Sequence, residues 1–367
     1  MLTIKEHKIS GYEKIIEGIN PEANLHCFIA IHSTKLGPAL GGTRIYPYSS
    51  KEAALKDVLR LSKGMTYKSA VVQIGLGGGK SVIIADPKTE KSHALLHAFA
   101  EVLNTLKGDY LAAEDVGSNT DDMMVIREKS PYVAALPTKT SSGDPSPYTA
   151  RGVFKGMQAV ADHLWGHPSL RNKKILIQGL GHVGAKLSRI LFWEGAELIV
   201  SDVDQESLEK ISMLEGAVKV DPSLVFDVEC DIFSPCALGG VLNKETISRL
   251  KCKAVAGSAN NQLEELEDGA RLYERGILYA PDFIINSGGI INASAEYEPK
   301  GYDPRFSRDK VNGIYDTLLE IFRRSDMEHK PTSVVAKELA EYYLKEEIGK
   351  RKHPIHLEEE SKNEKKG

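Results

Sequence analysis

The feature that most restricts this chain is a glycine run set between two apolar strands. The segment KILIQ begins at Lys174, Gly179-Leu180-Gly181-His182-Val183-Gly184 follows, a helical pattern runs from His182 to Trp193, and ELIVS leads into Asp202. Each glycine has a mechanical reason: Gly179 permits a tight turn, Gly181 lets backbone approach a pyrophosphate, and Gly184 permits close packing of helix on strand. The free N–H groups and dipole of the helix's first turn favour an anion. Asp202 stands where a carboxylate accepts hydrogen bonds from a ribose and repels a 2′-phosphate, so NAD is expected over NADP. Strand, turn, helix, strand and acid in that order predict a Rossmann-type NAD-binding domain.

The rest of the chain is organised around that unit. At roughly 150 residues per domain, 367 residues imply two domains. Further strand candidates at Cys230–Phe233, Ala254–Ala256 and Ile277–Tyr279 alternate with helical stretches, which predicts a parallel sheet built from right-handed crossovers. The first 140 or so residues are mixed α/β. His26–His32 reads as a strand, and Ser49 with Glu52 forms a capping-box pair ahead of Leu55, Val58, Leu59 and Met65 on one helical face. Ala70–Ile74 and Ser81–Ile84 read as strands separated by Gly75, Gly77, Gly78 and Gly79. Thr140–Pro147 (TSSGDPSP) has linker composition, with Ser146 and Pro147 suited to the N-cap and first position of a helix starting at Tyr148. The fold class is therefore α/β with two domains: 1–145, then 146–330 as the Rossmann-type unit, with a C-terminal helix and solvated polar tail over 331–367.

Composition narrows the partners. Against 51 Asp plus Glu, 47 Lys plus Arg leave a net charge of −4, without the basic excess that nucleic acid or an acidic membrane requires. No apolar run approaches the ~20 residues of a membrane span, and Lys5, Glu6 and Lys8 stand where a signal peptide would be apolar. A cytoplasmic protein is expected. Cys27, Cys230, Cys236 and Cys252 form no CxxC pair and read as reduced thiols, and no metal site is expected. The GGGK segment at Gly77–Lys80 is not a Walker A loop, because position 74, where that loop needs glycine, is Ile74.

Glycine beside charge recurs in the first domain, in segments that carry a resemblance. Gly37-Pro38-Ala39-Leu40-Gly41-Gly42-Thr43-Arg44, Gly64-Met65-Thr66-Tyr67-Lys68, the GGGK segment, Ala113-Glu114-Asp115-Val116-Gly117 and Ser142-Gly143-Asp144-Pro145-Ser146-Pro147 lie in that order. After the fingerprint come Ser234-Pro235-Cys236-Ala237, Ala259-Asn260-Asn261-Gln262 and Asn286-Ser287-Gly288-Gly289. Together they resemble the amino-acid dehydrogenase family that handles glutamate, leucine, phenylalanine and valine, over roughly residues 20–300. The resemblance implies NAD-dependent, reversible oxidative deamination of an L-amino acid to a 2-oxo acid and ammonium. It implies that Lys68 holds the α-carboxylate, that Lys80 is the general acid and base working on water and the carbinolamine, and that Asp115 relays a proton from the amine. Lysine is protonated at neutral pH, so base work there calls for a desolvated site holding a second cation.

The same resemblance addresses specificity. Glutamate-using members carry a lysine just before the Gly-Gly pair, where this chain has Leu40. A substrate carboxylate buried against leucine costs several kcal/mol, so an apolar side chain is expected. Leu40, Gly41, Gly42, Met65, Ala113, Ile290 and Ala293 form the implied pocket. Leucine-preferring members resemble this chain at Leu40 and Ala113, so leucine and other branched-chain amino acids lead; they usually have a bulkier Val where Ala293 stands, a departure that widens the pocket and supplies the alternative, phenylalanine or valine, with a non-catalytic NAD-binding protein behind both. Cofactor contacts are implied for Gly179, Leu180, Gly181, His182, Val183, Gly184, Ala185, Asp202, Val203, Thr149, Ala259, Asn260 and Asn261. The first domain would also carry a homo-oligomer, hexameric or octameric by analogy, and the substrate would lie in a cleft between the domains.

Overall fold

The computed structural model describes residues 1–138, 141–355 and 357. Thr140, at the start of the sequence-assigned linker, and the tail segment EEESKNEKKG lie outside the described residues. Met1–Asp144, Ala293–Pro304 and the described residues from Tyr343 onward make one unit; Pro145–Asn292 and Arg305–Tyr342 make the other. Two late stretches thus return to the first unit, an interleaving of which hydrophobic periodicity carries no trace.

In the first unit, β1 (Thr3–His7), β2 (Lys14–Asn20), β3 (Leu25–Ser33), β4 (Ala39–Tyr46), β5 (Gly77–Ile84) and β6 (Tyr110–Glu114) lie in the order β1-β2-β3-β5-β4-β6. β5 runs antiparallel to β3 and parallel to β4, which runs parallel to β6. Alternating side chains give the sheet two apolar faces. Ile15, Phe28, Ala30 and Val82 pack with Ala54 and Val58 of helix Lys51–Val71. Cys27, Ile29, Ile31 and Ile83 pack with Leu95, Phe99 and Val102 of helix His93–Asn104. Each fully buried Val, Leu, Ile or Phe among them contributes about 1.5–3 kcal/mol.

Three local assignments are corrected here. Helix Lys51–Val71 is capped by Ser50, whose Oγ accepts the Ala53 N–H at 3.1 Å, one residue after the Ser49 that the capping-box spacing suggests. The run Ala70–Ile74 is not a strand: Ala70 and Val71 are buried as the last helical turn, and Gln73 adopts φ 50° in the turn that follows. A short apolar run suits a buried helix end as well as a strand, and the long helix decides it. Gly77, Gly78 and Gly79 lie inside β5 and separate nothing.

In the second unit, β7 (Lys174–Gln178), β8 (Glu197–Ser201), β9 (Val218–Lys219), β10 (Ile232–Pro235), β11 (Ala254–Val255) and β12 (Leu278–Tyr279) form a sheet in the order β12-β11-β10-β7-β8-β9. Every neighbouring pair is parallel. Counted from β7, this is the doubly wound 3-2-1-4-5-6 arrangement, whose order reverses between β7 and β10 and whose ligands bind beyond the carboxyl ends there. Helix Ser146–Trp165 opens one residue before the sequence assignment: Pro145 takes the N-cap position with φ −75° and ψ −15°, already helical, and Ser146 is in the helix.

The end of the chain is also corrected. A solvated polar tail is the sequence reading for the end of the chain, yet the Arg351 side chain is only 7% exposed and tied into the first unit. Its N–H donates to Leu36 O at 2.8 Å, and its guanidinium donates to Gly75 O at 3.0 Å, Tyr297 O at 2.7 Å and Glu298 Oε1 at 3.2 Å. Glu296, in the other returning stretch, accepts from the Ala135 N–H, Ser141 Oγ and the Ser142 N–H.

Candidate active site

Strand register assembles the first cluster. Leu40 pairs with Gly78 and Gly42 with Ala113. Because side chains alternate, Leu40, Gly42, Gly78, Lys80 and Ala113 share one face, and Asp115 follows just past β6. Helix Lys51–Val71 covers this face at Gly78, where a Cβ would lie 2.0 Å from Thr66 N, and the same helix carries Met65 and Lys68.

Lys80, only 6% exposed, donates from Nζ to Asp115 Oδ2 at 2.8 Å. Arg44 Nε donates to the same oxygen at 3.1 Å. A Cβ on Gly42 would stand 3.0 Å from Lys80 Nζ and 2.7 Å from Asp115 Cβ, so that position must be glycine for the pair to meet. Burial opposes the charge on Asp115, but Lys80 and Arg44 outweigh it and hold the carboxyl below the usual aspartate range. The Asp115 N–H donates to Ser118 Oγ at 2.9 Å, and Ser118 Oγ donates to Thr43 O at 2.7 Å, fixing the backbone beneath the carboxylate.

Not every pocket residue named from the sequence joins this face. Gly41 is in the opposite register, and a Cβ there would meet Gly79 O at 1.9 Å, so strand packing accounts for it. Helix Gly288–Ser294 carries both Ile290 and Ala293, and the division between units falls inside it: Ile290 belongs to the second, the buried Ala293 to the first.

The second cluster lies at the carboxyl ends of β7, β8, β10 and β11. Gly179 has φ 101°, and a Cβ on Gly184 would fall 1.9 Å from Gly179 O, so the protein's own packing demands glycine at both. A Cβ on Gly181 would meet no protein atom within 4 Å. That open space, at the start of helix His182–Trp193 with His182, Val183 and Ala185 in its first turn, leaves room for a dinucleotide phosphate against the helix N-terminus. Asp202 accepts the Leu180 N–H on Oδ2 at 2.5 Å and the Asp204 N–H on Oδ1 at 2.8 Å, so it also closes the glycine turn; Val203 beside it is exposed. Gln262 Nε2 donates to Gly257 O at 2.8 Å and Ala259 O at 3.0 Å, while Asn286 Nδ2 donates to Asn260 Oδ1 at 2.7 Å. These amides shape the loop in which Asn261 takes φ 51°. Thr149, in helix Ser146–Trp165, donates to Pro145 O at 3.1 Å.

Known proteins match this chain over most of its length. Residues 20–132 match the model described as Glu/Leu/Phe/Val dehydrogenase, dimerisation domain, and residues 197–329 match Glutamate/Leucine/Phenylalanine/Valine dehydrogenase. The leucine dehydrogenase of Thermoactinomyces intermedius is 47% identical over 331 residues, 90% of each chain. The chain belongs to the Glu/Leu/Phe/Val dehydrogenase family. It is therefore an amino-acid dehydrogenase, an oxidoreductase acting on CH–NH2 donors, in a family that uses NAD or NADP. The phenylalanine dehydrogenase of Bacillus thermotolerans is 44% identical, covering 94% of this chain and 91% of that one. The crystal structure of L-tryptophan dehydrogenase from Nostoc punctiforme superposes with a TM-score of 0.82 at 41% identity, covering 92% of this chain and 97% of that one.

The groups behind Asp115 carry no signal in the sequence. Arg44 ends the segment Gly37–Arg44 without any pattern that assigns it a role, and nothing in the sequence marks Asp57 or Tyr48. Their pairing depends on helix Lys51–Val71 lying beside β4, for which no sequence spacing stands as a signal. Among the described residues, no group of three or more His, Cys, Asp or Glu is arranged to hold a metal ion, and no helix is long and apolar enough to cross a membrane.

Proposed function

We propose that this enzyme catalyses the reversible, NAD-dependent oxidative deamination of L-leucine and other branched-chain L-amino acids to 2-oxo acids and ammonium. The observation that carries this reading is the Lys80–Asp115 pair on the same sheet face as Leu40 and Ala113. When bound, NAD supplies the acceptor for the Cα hydride. Lys68 holds the substrate carboxylate. Asp115, a carboxylate at neutral pH, takes a proton from the substrate amine, and the 2.8 Å separation from Lys80 Nζ makes a path along which that proton moves. Lys80 then serves the water that adds to the iminium and the carbinolamine from which ammonia leaves. Gly179–Ala185, Asp202, Val203, Thr149 and the loop Ala259–Asn261 hold the dinucleotide.

Leu40 sets the substrate class. It is 2% exposed, so a glutamate side chain there would lose hydration without gaining a partner, a cost of about 2 kcal/mol or more. Leucine, isoleucine and valine should therefore exceed glutamate in kcat/KM by at least ~30-fold, and Leu40→Lys should narrow that gap. The small Ala293, and the 44% identity to a phenylalanine dehydrogenase, favour phenylalanine as the second reading. NADH absorbance with leucine, isoleucine, valine, phenylalanine and glutamate side by side, with NADP as a further arm, tests all of this. Glutamate equal to leucine removes the Leu40 argument, a preference for NADP removes the Asp202 argument, and no oxidation of any amino acid returns a non-catalytic NAD-binding protein. The first unit, which matches a dimerisation-domain model, is proposed to carry self-association into a homo-oligomer.

A further inference from the structure

Two cations converge on one oxygen of Asp115, and they differ in kind. Lys80 Nζ is 2.8 Å from Oδ2 and Arg44 Nε is 3.1 Å from it. In the proposed reaction Lys80 exchanges protons, so its charge does not stay constant through a turnover. A guanidinium does not deprotonate, and its planar fork can hold two carboxylates at once. Arg44 does so: its second arm, NH1, donates to Asp57 Oδ2 at 2.9 Å. Asp57 is held in turn by Tyr48 OH at 2.7 Å and Arg60 NH2 at 2.9 Å. Asp57 and Arg60 stand on helix Lys51–Val71, which also carries Lys68.

We propose that Arg44 is a positioning residue for Asp115, keeping its carboxylate charged and in place while Lys80 changes protonation, and that the Arg44–Asp57 pair ties that carboxylate to the helix bearing Lys68. This rests on the oxidative-deamination reading and adds a residue to it. The charged and titratable groups around the carboxylate are Lys80 from β5 and Arg44 from β4, with Asp57, Tyr48 and Arg60 behind Arg44. Tyr110 of β6 lies on the other face, its OH donating to Gly41 O at 2.8 Å, and Glu114 accepts from Thr120 Oγ1 at 2.9 Å. Burial raises the Asp115 carboxyl, and Lys80 and Arg44 lower it. Without Arg44 the opposing balance shifts upward, so a carboxylate required for turnover is lost at a higher pH.

The test uses the full-length enzyme with Arg44→Gln, Arg44→Lys and Asp57→Asn. Arg44→Gln should lower kcat with leucine by about 10²-fold, with NADH binding by fluorescence unchanged, and should move the acid limb of the kcat/KM profile to higher pH. Added guanidinium should restore part of the rate. Arg44→Lys, which keeps the charge but not the fork, should fall between wild type and Arg44→Gln, and it carries the test if Arg44→Gln does not fold. Asp57→Asn should lower kcat with a smaller displacement of the acid limb. A rate loss with no movement of the acid limb and no rescue would mean that Arg44 only supports the fold, and the proposal fails. A crystal structure of Arg44→Gln reads the positioning without any assay: Asp115 Oδ2 should leave its place beside Lys80 Nζ, and an unmoved pair overturns the proposal. A wild type that oxidises no amino acid defeats the reaction reading instead, and the crystallographic arm still decides what Arg44 holds.

Discussion

Lys80→Ala is expected to retain NADH binding and lose turnover, with kcat at least ~10³-fold below wild type. General acid–base groups contribute typically 10²–10⁴-fold, and here the same side chain also holds the proton relay in place. Removing it leaves Asp115 with Arg44 as its remaining cation and with a void where a buried side chain stood. The carboxylate then has no lysine through which to exchange its proton. NADH binding should survive because the glycine turn, Asp202 and the loop Ala259–Asn261 all belong to the second unit, whereas Lys80 belongs to the first. Single-turnover NADH absorbance with leucine reads the chemistry, and a fluorescence titration reads the binding. A variant within tenfold of wild-type kcat would show that Lys80 is not the acid–base group. A variant that no longer binds NADH would show that the two clusters are not separable in the way proposed.

How far the sequence reveals this depends on how local each feature is. The second unit is legible because its evidence is contiguous: strand, glycine turn, helix, strand and Asp202 follow one another, which calls for a right-handed parallel crossover, and the full 3-2-1-4-5-6 order emerges only in the folded sheet. Even there Asp202 reveals half of itself, since the sequence marks it for a ribose while the fold also uses it to accept the Leu180 N–H. In the first unit Lys80 and Asp115 are recognisable, but nothing in their spacing places them on one oxygen's radius. That comes from β4 lying between β5 and β6, so that the missing Cβ of Gly42 leaves room for both. Ala70–Ile74 misleads because a short, mostly apolar run, here broken only by Gln73, ends a buried helix as readily as it makes a strand. Arg351 is the least legible residue of all. It sits in a charged stretch that reads as solvated, and its partners at Leu36, Gly75 and Tyr297 are scattered along the chain.

Gly78→Ala should combine the largest loss of stability with a loss of activity, because one methyl group there displaces the helix that carries Lys68. The added Cβ would lie 2.0 Å from Thr66 N and 2.3 Å from Thr66 Cα, backbone atoms that no rotamer change can move. To recover ordinary contact the helix must shift by more than an ångström. It is held against doing so: Thr66 Oγ1 lies 3.0 Å from His32 Nδ1 and donates to the carbonyls of Ser62 and Gly78, and Ala54 and Val58 are buried beneath the same helix. Overpacking of this kind costs about 1–3 kcal/mol or more, and misplacing a substrate-holding group by an ångström costs about 10²-fold in rate. Gly64 supplies the control, since it is exposed on the same helix with no neighbour within 4 Å of an added Cβ. Gly64→Ala should therefore raise stability by up to about 1 kcal/mol, through helix propensity alone, and leave kcat unchanged. Thermal unfolding and leucine kinetics on the two variants decide the matter: if Gly78→Ala keeps wild-type melting and rate, then the helix is not seated on β5 as described, and Lys68 is not held relative to Lys80 by that contact.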